Sequence, residues 1–312
     1  MRAAIIEKYG EPEVFQIKEM PIPELKDGQV LIQNKASSVN PVDTLVRQGK
    51  TRLLTGLFGE HIIGSDFSGI VIKSQSAAFS VGTEVYGMMS AVKGGAYAEM
   101  IVVEESDVAA KPSNLSFTEA AVIPLVGLTA WQGLVVDGVL GTGQNVLVTG
   151  CTGGVGTMAT QIAKHFGCTV TGTCSSENTA FAREVGVDHV IPFDEKEVPE
   201  QKQFDLIFDA AGNFTISDLD GSLKENALFV TTRAGADDLT GALEAAVDML
   251  LRKRMKIVKV KPDIAHLYQL ARLAESGELK PYIAETFGLE QLAAAHRKME
   301  EGGFTGKIAV EI

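Results

Sequence analysis

The chain has 312 residues, 45% hydrophobic and 22% charged, enough for two compact domains with separate cores. Its 28 basic and 40 acidic residues give a net charge of -12, which argues against nucleic acid as a partner, because phosphates need clustered Lys and Arg. No apolar run reaches the roughly 18 to 20 residues that span a bilayer, so no membrane partner is expected.

The chain opens on Met1-Arg2-Ala3-Ala4-Ile5-Ile6-Glu7-Lys8, with an early acid and no signal cleavage site. Over the first hundred residues, Val30–Ala36, Gly69–Ile72 and Ala96–Val103 are short β-prone runs. Pro, Gly and Asp punctuation such as Lys26-Asp27-Gly28 separates them, which predicts a mostly antiparallel β-domain. The rhythm changes at Ser116, where Glu119 three residues on completes a capping-box signature for a helix. From Asn145 onward apolar strands alternate with amphipathic helices. Strands are predicted at Asn145–Thr149, Thr169–Thr173, Phe204–Asp209, Ala227–Thr231 and Lys256–Val260, and helices at Val155–Phe166 and Thr179–Val185. This pattern implies a parallel sheet covered on both faces. The basic cluster Arg252-Lys253-Arg254 with Lys256, Lys259 and Lys261 reads as a solvated edge between a helix and a strand. Helices at Ala265–Glu275 and Leu289–Glu301 and a strand at Lys307–Glu311 close the chain.

The segment Asn145-Val146-Leu147-Val148-Thr149-Gly150-Cys151-Thr152-Gly153-Gly154-Val155-Gly156 runs strand, glycine turn and helix start in succession. Gly150, Gly153 and Gly156 permit a tight turn and close approach of a pyrophosphate to the backbone. The helix beginning at Gly154, Val155 and Gly156 offers its unpaired N–H groups and positive dipole end to the phosphates. The spacing is G-x-x-G-x-x-G. Cys151 inside the turn is read as a small residue chosen for fit, with a redox-sensing thiol as the alternative. The three cysteines, Cys151, Cys168 and Cys174, are too few for a disulfide framework or a four-cysteine zinc site. Together with the N-terminus they predict a cytoplasmic protein with reduced thiols.

An Asp or Glu about 20 residues beyond the turn would bind the adenosine ribose and select NAD. Here the place is held by Thr173-Cys174-Ser175-Ser176, with no acid until Glu177. Ser175 and Ser176 can donate to a 2′-phosphate, so NADP(H) is expected ahead of NAD(H). No basic residue is adjacent; the nearest is Arg183.

With these residues in view the chain resembles the medium-chain dehydrogenase/reductase superfamily, in its zinc-independent quinone oxidoreductase branch. The likeness rests on Val39-Asn40-Pro41-Val42-Asp43, Gly64-Ser65-Asp66-Phe67-Ser68-Gly69, Gly94-Gly95-Ala96-Tyr97-Ala98-Glu99, Gly127-Leu128-Thr129-Ala130-Trp131, the glycine turn and Gly306-Lys307-Ile308. The resemblance implies an α/β protein: a GroES-like, mostly-β catalytic domain from residues 1–116 and 262–312, and a doubly wound Rossmann domain over 117–261. It implies NADPH in the cleft and a homodimer. It places Asn40 and Thr129 near the nicotinamide, with Asp43 shaping the same cleft. Asn40 is also readable as a turn residue before Pro41, Asp43 as a helix cap and Thr129 as a packed helix residue.

Zinc-dependent relatives hold the metal with a Cys, a Gly-His-Glu segment and a further Cys or Asp. Here Asn40 to Asp43 contain no Cys, and Gly64-Ser65-Asp66 stands where Gly-His-Glu would be. A zinc site needs three or four converging ligands, which His61 alone does not supply, so no metal is expected. His61 reads as a surface or packing residue. Without a Lewis acid, oxidising an alcohol at neutral pH is difficult. Reducing a quinone or an α,β-unsaturated carbonyl is easier, with the protein orienting the nicotinamide and excluding water. Asn40 could stabilise charge on the substrate oxygen. The tyrosine that enoyl-thioester reductases carry after the Asn-Pro segment is missing from Arg47-Gln48-Gly49-Lys50-Thr51-Arg52. Substrate-facing loops are expected at Thr51 to His61 and Thr232 to Asp238. The competing reading is an NADPH-binding protein with a structural or regulatory role and little turnover.

Overall fold

A computed structural model of the chain describes residues 1–52, 60–233 and 254–312. In chain order come β1 (Arg2–Ile6), β2 (Phe15–Glu19), β3 (Gln29–Val39), β4 (His61–Ile62), β5 (Asp66–Ser74), β6 (Glu84–Met88), β7 (Met100–Glu104) and β8 (Val108–Ala110). Next follow β9 (Asn145–Val148), β10 (Thr169–Cys174), β11 (His189–Pro192), β12 (Phe204–Asp209), β13 (Leu223–Thr231) and β14 (Met255–Ile257). β15 (Ile283–Gly288) and β16 (Lys307–Glu311) complete the series. The chain divides into one unit of Met1–Leu128 with Lys261–Ile312 and a second of Thr129–Val260.

In the first unit, β1 pairs antiparallel with β2 and β4, and a larger sheet runs β15-β16-β3-β5-β6-β8 with β7 also on β3. Its pairs are antiparallel apart from β15 with β16, which the helix Leu292–Glu301 connects. Parallel neighbours need such a crossover. Strand alternation sends Ala3 and Ile5 to a core with Ile32, Phe67 and Val85, and Ala4 and Ile6 to a second core with Val39, Ile63 and Val310. Ser37 lies opposite Phe67, and Val39 opposite Ile308. That register brings Asn40, Asp66 and Lys307 to one end of the sheet.

Two expectations shift. The run Ala96–Val103 becomes a strand only from Met100, with Ala98 making a single bridge to Ala3. The Asn34 amide donates to Ala96 O at 2.8 Å and Ala98 O at 3.3 Å, taking acceptors that a ladder would use. Residues 117–128 belong to the β-rich unit, not to the nucleotide-type unit. The capping box is present, with Ser116 Oγ accepting from Glu119 N at 3.2 Å and Glu119 Oε2 from Ser116 N at 2.8 Å. The helix it opens, Phe117–Ala121, lies against β3 and β5, and Ala120 to Ile123 are fully buried.

In the second unit every strand pairing is parallel, in the order β11-β10-β9-β12-β13-β14. Counted from β9, that is 3-2-1-4-5-6, the dinucleotide-binding order. Val146, Leu147, Val148, Leu206, Ile207 and Phe208 have no exposed surface, as strands covered on both faces require. Helices Gly154–His165 and Thr179–Val185 follow β9 and β10. Of the basic cluster, Arg254 pairs with Asp220, while Arg252 and Lys253 lie outside the described residues. No described helix is long and apolar enough to cross a membrane.

Candidate functional site

β9 delivers the chain into the glycine turn at the carboxyl edge of the parallel sheet, where ligands of such sheets bind. Gly150 has φ +58, a left-handed conformation that glycine adopts without penalty. A Cβ on Gly156 would sit 2.1 Å from Gly150 O and 2.7 Å from Cys151 Cα, so helix and turn touch through backbone alone. A Cβ on Gly153 would meet only Gly150 O, at 3.5 Å, so the space above it is open. Gly153 is the N-cap of helix Gly154–His165, with no side chain capping the first turn. The leading N–H groups at Gly154 and Val155, both part-exposed, are thus left for an anion. This cradle fits a dinucleotide pyrophosphate.

Buried Asp209 at the end of β12 braces the turn. It accepts from Thr149 Oγ1 at 2.6 Å, Thr231 Oγ1 at 2.8 Å and Phe214 N at 3.2 Å. Cys151 is fully buried, and a Cβ on Gly172 would lie 2.7 Å from its Sγ. The thiol therefore fills the space that Gly172 leaves. Burial and then neighbouring Cys174 push its pKa well up, away from the reactive thiolate. Gly150 N and Cys151 N donate to Thr173 Oγ1 (3.1 Å) and Thr173 O (3.0 Å), tying the turn to the end of β10. Beyond Thr173, Ser176 gives its N–H (2.9 Å) and its hydroxyl (2.6 Å) to Asp194, and Ser175 Oγ accepts from Asn178 Nδ2 at 2.8 Å. Thr129 is buried in helix Pro124–Trp131, at the start of this unit.

Asn40 and Asp43 lie in the first unit, at the end of β3, in a buried polar array. Asn40 is extended, with Pro41 in the first helical position after it, as the residue before proline prefers. Its backbone N–H donates to Asp43 Oδ2 at 2.9 Å, so Asp43 does cap the helix Pro41–Arg47. The Asn40 side chain is fully buried; Nδ2 donates to Asp66 Oδ2 at 2.9 Å and Oδ1 accepts from Lys307 Nζ. Lys307 also donates to Val39 O at 2.9 Å and stands 3.8 Å from Asp66 Oδ2. Asp66 accepts further from Ser38 Oγ (2.6 Å) and Leu125 N (2.7 Å). Asp43 accepts from Ser65 Oγ and from Tyr97 OH, both at 3.2 Å, and His296 Nε2 lies 3.3 Å from the same phenol. As placed, Asn40 and Asp43 hold the first unit's polar core together.

Burial, and next the Asp66 charge, push the Asp43 pKa up to about 7, against the Asn40 N–H, Lys307 and Tyr97. Burial, and next Arg47, push His296 down to about 3. Folded Asp43 keeps its proton to near pH 7 while the unfolded residue loses it near 3.8, so its contribution to stability falls as pH rises between those values. Unfolded His296 gains a proton near 6.5 while the folded ring stays neutral to about 3, so its contribution falls as pH drops through that window. The two slopes oppose each other between about pH 4 and 6.5. Asp43→Asn is expected to leave a melting temperature that climbs with pH across this range relative to the unmutated chain. His296→Gln is expected to do the reverse. Parallel melting curves for all three proteins would refute the opposition.

The sequence reading missed Asp194 and Asp209, which come from strand ends distant in sequence from the turn. It also missed Tyr97 and Lys307 as partners of Asp43 and Asp66, and His296 as the partner of Tyr97. A signal for His296 exists, since it shares the buried helical face of Leu292 and Ala295 at i, i+3, i+4 spacing. His61 packs its ring 5.9 Å from that of Tyr9. Among the described residues no three His, Cys, Asp or Glu side chains gather as a metal site. Of the expected substrate loops, residues 53–59 and 234–238 lie outside the described residues.

Together, the all-parallel sheet in dinucleotide-binding order, with its backbone phosphate cradle, and the β-rich unit built from both chain ends define a two-unit dehydrogenase or reductase architecture. Two family models match, the alcohol dehydrogenase GroES-like domain over residues 26–113 and zinc-binding dehydrogenase over 185–310. The mitochondrial NAD(P)H oxidoreductase RTN4IP1 of Homo sapiens is 32% identical across all of this chain and 89% of its own length. The 2-methylene-furan-3-one reductase of Solanum lycopersicum is 32% identical over 99% of this chain and 79% of its own. The quinone oxidoreductase structure from Coxiella burnetii superposes with a TM-score of 0.88 at 29% identity, covering 100% of this chain and 99% of that one. The chain belongs to the medium-chain dehydrogenase/reductase superfamily, in its quinone oxidoreductase-like branch.

Proposed function

We propose that this protein is a zinc-independent NAD(P)H-dependent reductase that passes hydride to a quinone or an α,β-unsaturated carbonyl. The observation that carries the reading is the glycine cradle itself, a bare backbone surface at an uncapped helix N-terminus on the carboxyl edge of the sheet. A nicotinamide bound there supplies the hydride. Gly150, Gly153, Gly154, Val155 and Gly156 hold the phosphates, and Thr129, Ser175 and Ser176 are assigned to the same cofactor. Asn40 and Asp43 act by fixing the Asn40-Pro41 turn rather than by contacting the acceptor.

Independence from zinc is supported by Asp66. It stands in Gly64-Ser65-Asp66, where zinc-dependent relatives carry Gly-His-Glu, and its carboxylate is spent on Asn40, Ser38, Leu125 N and Lys307. A cytoplasmic setting is supported by three buried free thiols, although the human relative is named mitochondrial. A homodimer is proposed from family membership. For the cofactor, the lack of an acid in Thr173–Ser176 speaks for NADPH, and Asp194 speaks against it.

Oxidation of NADH and NADPH at 340 nm with 1,2-naphthoquinone, 9,10-phenanthrenequinone and a simple enone tests the activity. Acceptor-dependent oxidation without stoichiometric zinc is expected. Tight cofactor binding with no turnover over the whole panel would replace this reading with that of a non-catalytic cofactor-binding protein. Stoichiometric zinc would overturn the metal-free assignment.

A further inference from the structure

Cys174 pairs with Pro192, so the chain leaving β10 at Ser175-Ser176 runs beside the chain leaving β11 at Phe193-Asp194. Phe193 N donates to Cys174 O at 3.0 Å, locking the two ends together. Asp194 takes both donors of Ser176, the N–H on Oδ1 at 2.9 Å and the hydroxyl on Oδ2 at 2.6 Å. The strand end carrying this pair is the one bonded to Gly150 and Cys151 through Thr173. In a sheet of this order the adenosine ribose lies at the end of the second strand, and a carboxylate there accepts from its hydroxyls.

A carboxylate has about four lone-pair sites, and Ser176 occupies one on each oxygen. One site on each oxygen remains for a pair of vicinal hydroxyls. A 2′-phosphate replaces one of those hydroxyls with acceptor oxygens and negative charge. The Ser176 donors that would have met it are already committed to Asp194. Among the described residues no Lys or Arg pairs with Asp194, and Ser176's hydrogen bonds hold its pKa below the ordinary value, so it is ionised at neutral pH.

We propose that Asp194 selects the cofactor of this protein, accepting from the ribose hydroxyls of NADH and repelling the 2′-phosphate of NADPH, so that NADH is preferred. The assignment rests on the dinucleotide reading of the glycine turn. It reverses the expectation drawn from Ser175 and Ser176, because the acid reaches Ser176 from a strand end 18 residues on in sequence.

Calorimetric titration of the full chain with NADH and NADPH tests it without turnover. The unmutated protein is expected to bind NADH at least about tenfold more tightly, since a like-charge contact of little over 1.4 kcal/mol gives that ratio. Asp194→Asn keeps an acceptor for Ser176 and removes the charge; it is expected to narrow the ratio at least about fivefold, mainly by tightening NADPH. Discrimination by the unmutated protein is expected to weaken with added salt, which a purely structural role would not produce. Asp194→Ser, on an exposed loop, should show the same narrowing with an unchanged melting temperature. Equal or tighter binding of NADPH by the unmutated chain overturns the assignment, as does a ratio that neither variant moves. Failure of both nucleotides to bind would overturn the dinucleotide reading itself, and this inference with it.

Discussion

Replacing Lys307 with methionine is expected to lower the unfolding free energy of the first unit by about 3–5 kcal/mol, the usual cost of stranding one member of a buried ion pair. Lys307 is 3% exposed and Asp66 is fully buried, so water cannot take over the role of either partner. Burial pulls the Lys307 pKa down, and the charges of Asp66 and Asp43 oppose that pull. Methionine matches the stem and removes the charge. Asp66 would then face the Asp43 carboxyl with only neutral donors around it, and Asn40 Oδ1 and Val39 O would each lose a partner. Trp131, the only tryptophan, belongs to the second unit, so its fluorescence is an internal control. Amide exchange in β16 reports the first unit. Loss of protection in β16 with an unmoved tryptophan transition is the expected result. The double variant Lys307→Met/Asp66→Asn is expected to lose less than the two single losses combined, because it removes the stranded charge. A single-variant loss under about 1 kcal/mol would mean the pair does not act as a buried ion pair.

The sheet of the second unit was legible because β9 and β12 are buried on both faces and therefore read as uninterrupted apolar runs. The glycine turn was legible for a related reason: close backbone approach admits almost no other residue, so the requirement is written at single positions. The polar array was not, because it joins Asn40, Asp66, Tyr97, His296 and Lys307 from five separate segments, and only the register of β3 with β5 and β16 brings three of them together. Asn40 and Asp43 were singled out by resemblance, but their sequence context could not show that each side chain is already bonded. Asp194 was hidden in the same way. A search for an acid along β10 cannot see one supplied by the end of β11. The domain boundary moved for a packing reason, since the capping box marks where the helix Phe117–Ala121 starts and says nothing of the sheet it covers.

Gly156→Ala is expected to weaken nicotinamide dinucleotide binding by about 100-fold or more and to cost about 1–3 kcal/mol of stability in the second unit. The added methyl group would lie 2.1 Å from Gly150 O, 2.7 Å from Cys151 Cα and 2.8 Å from Gly150 C. All three are backbone atoms of the turn, so no side-chain rotation relieves the clash; the helix must move off the sheet or the turn must open. Either movement displaces the N–H groups of Gly154 and Val155 from the phosphates, and losing hydrogen bonds to a charged group, about 1.5–3 kcal/mol each, accounts for a loss of that size. Gly153→Ala separates binding from folding. There φ is −81 and the nearest atom would be Gly150 O at 3.5 Å, an ordinary contact, so the fold should tolerate the methyl group. The same methyl group would stand in the open space above the helix N-terminus, where a pyrophosphate would lie against the backbone. Gly153→Ala is therefore expected to keep its melting temperature and lose affinity, whereas Gly156→Ala loses both. If Gly153→Ala bound NADH and NADPH as tightly as the unmutated chain, the phosphates would have to sit elsewhere than on this turn.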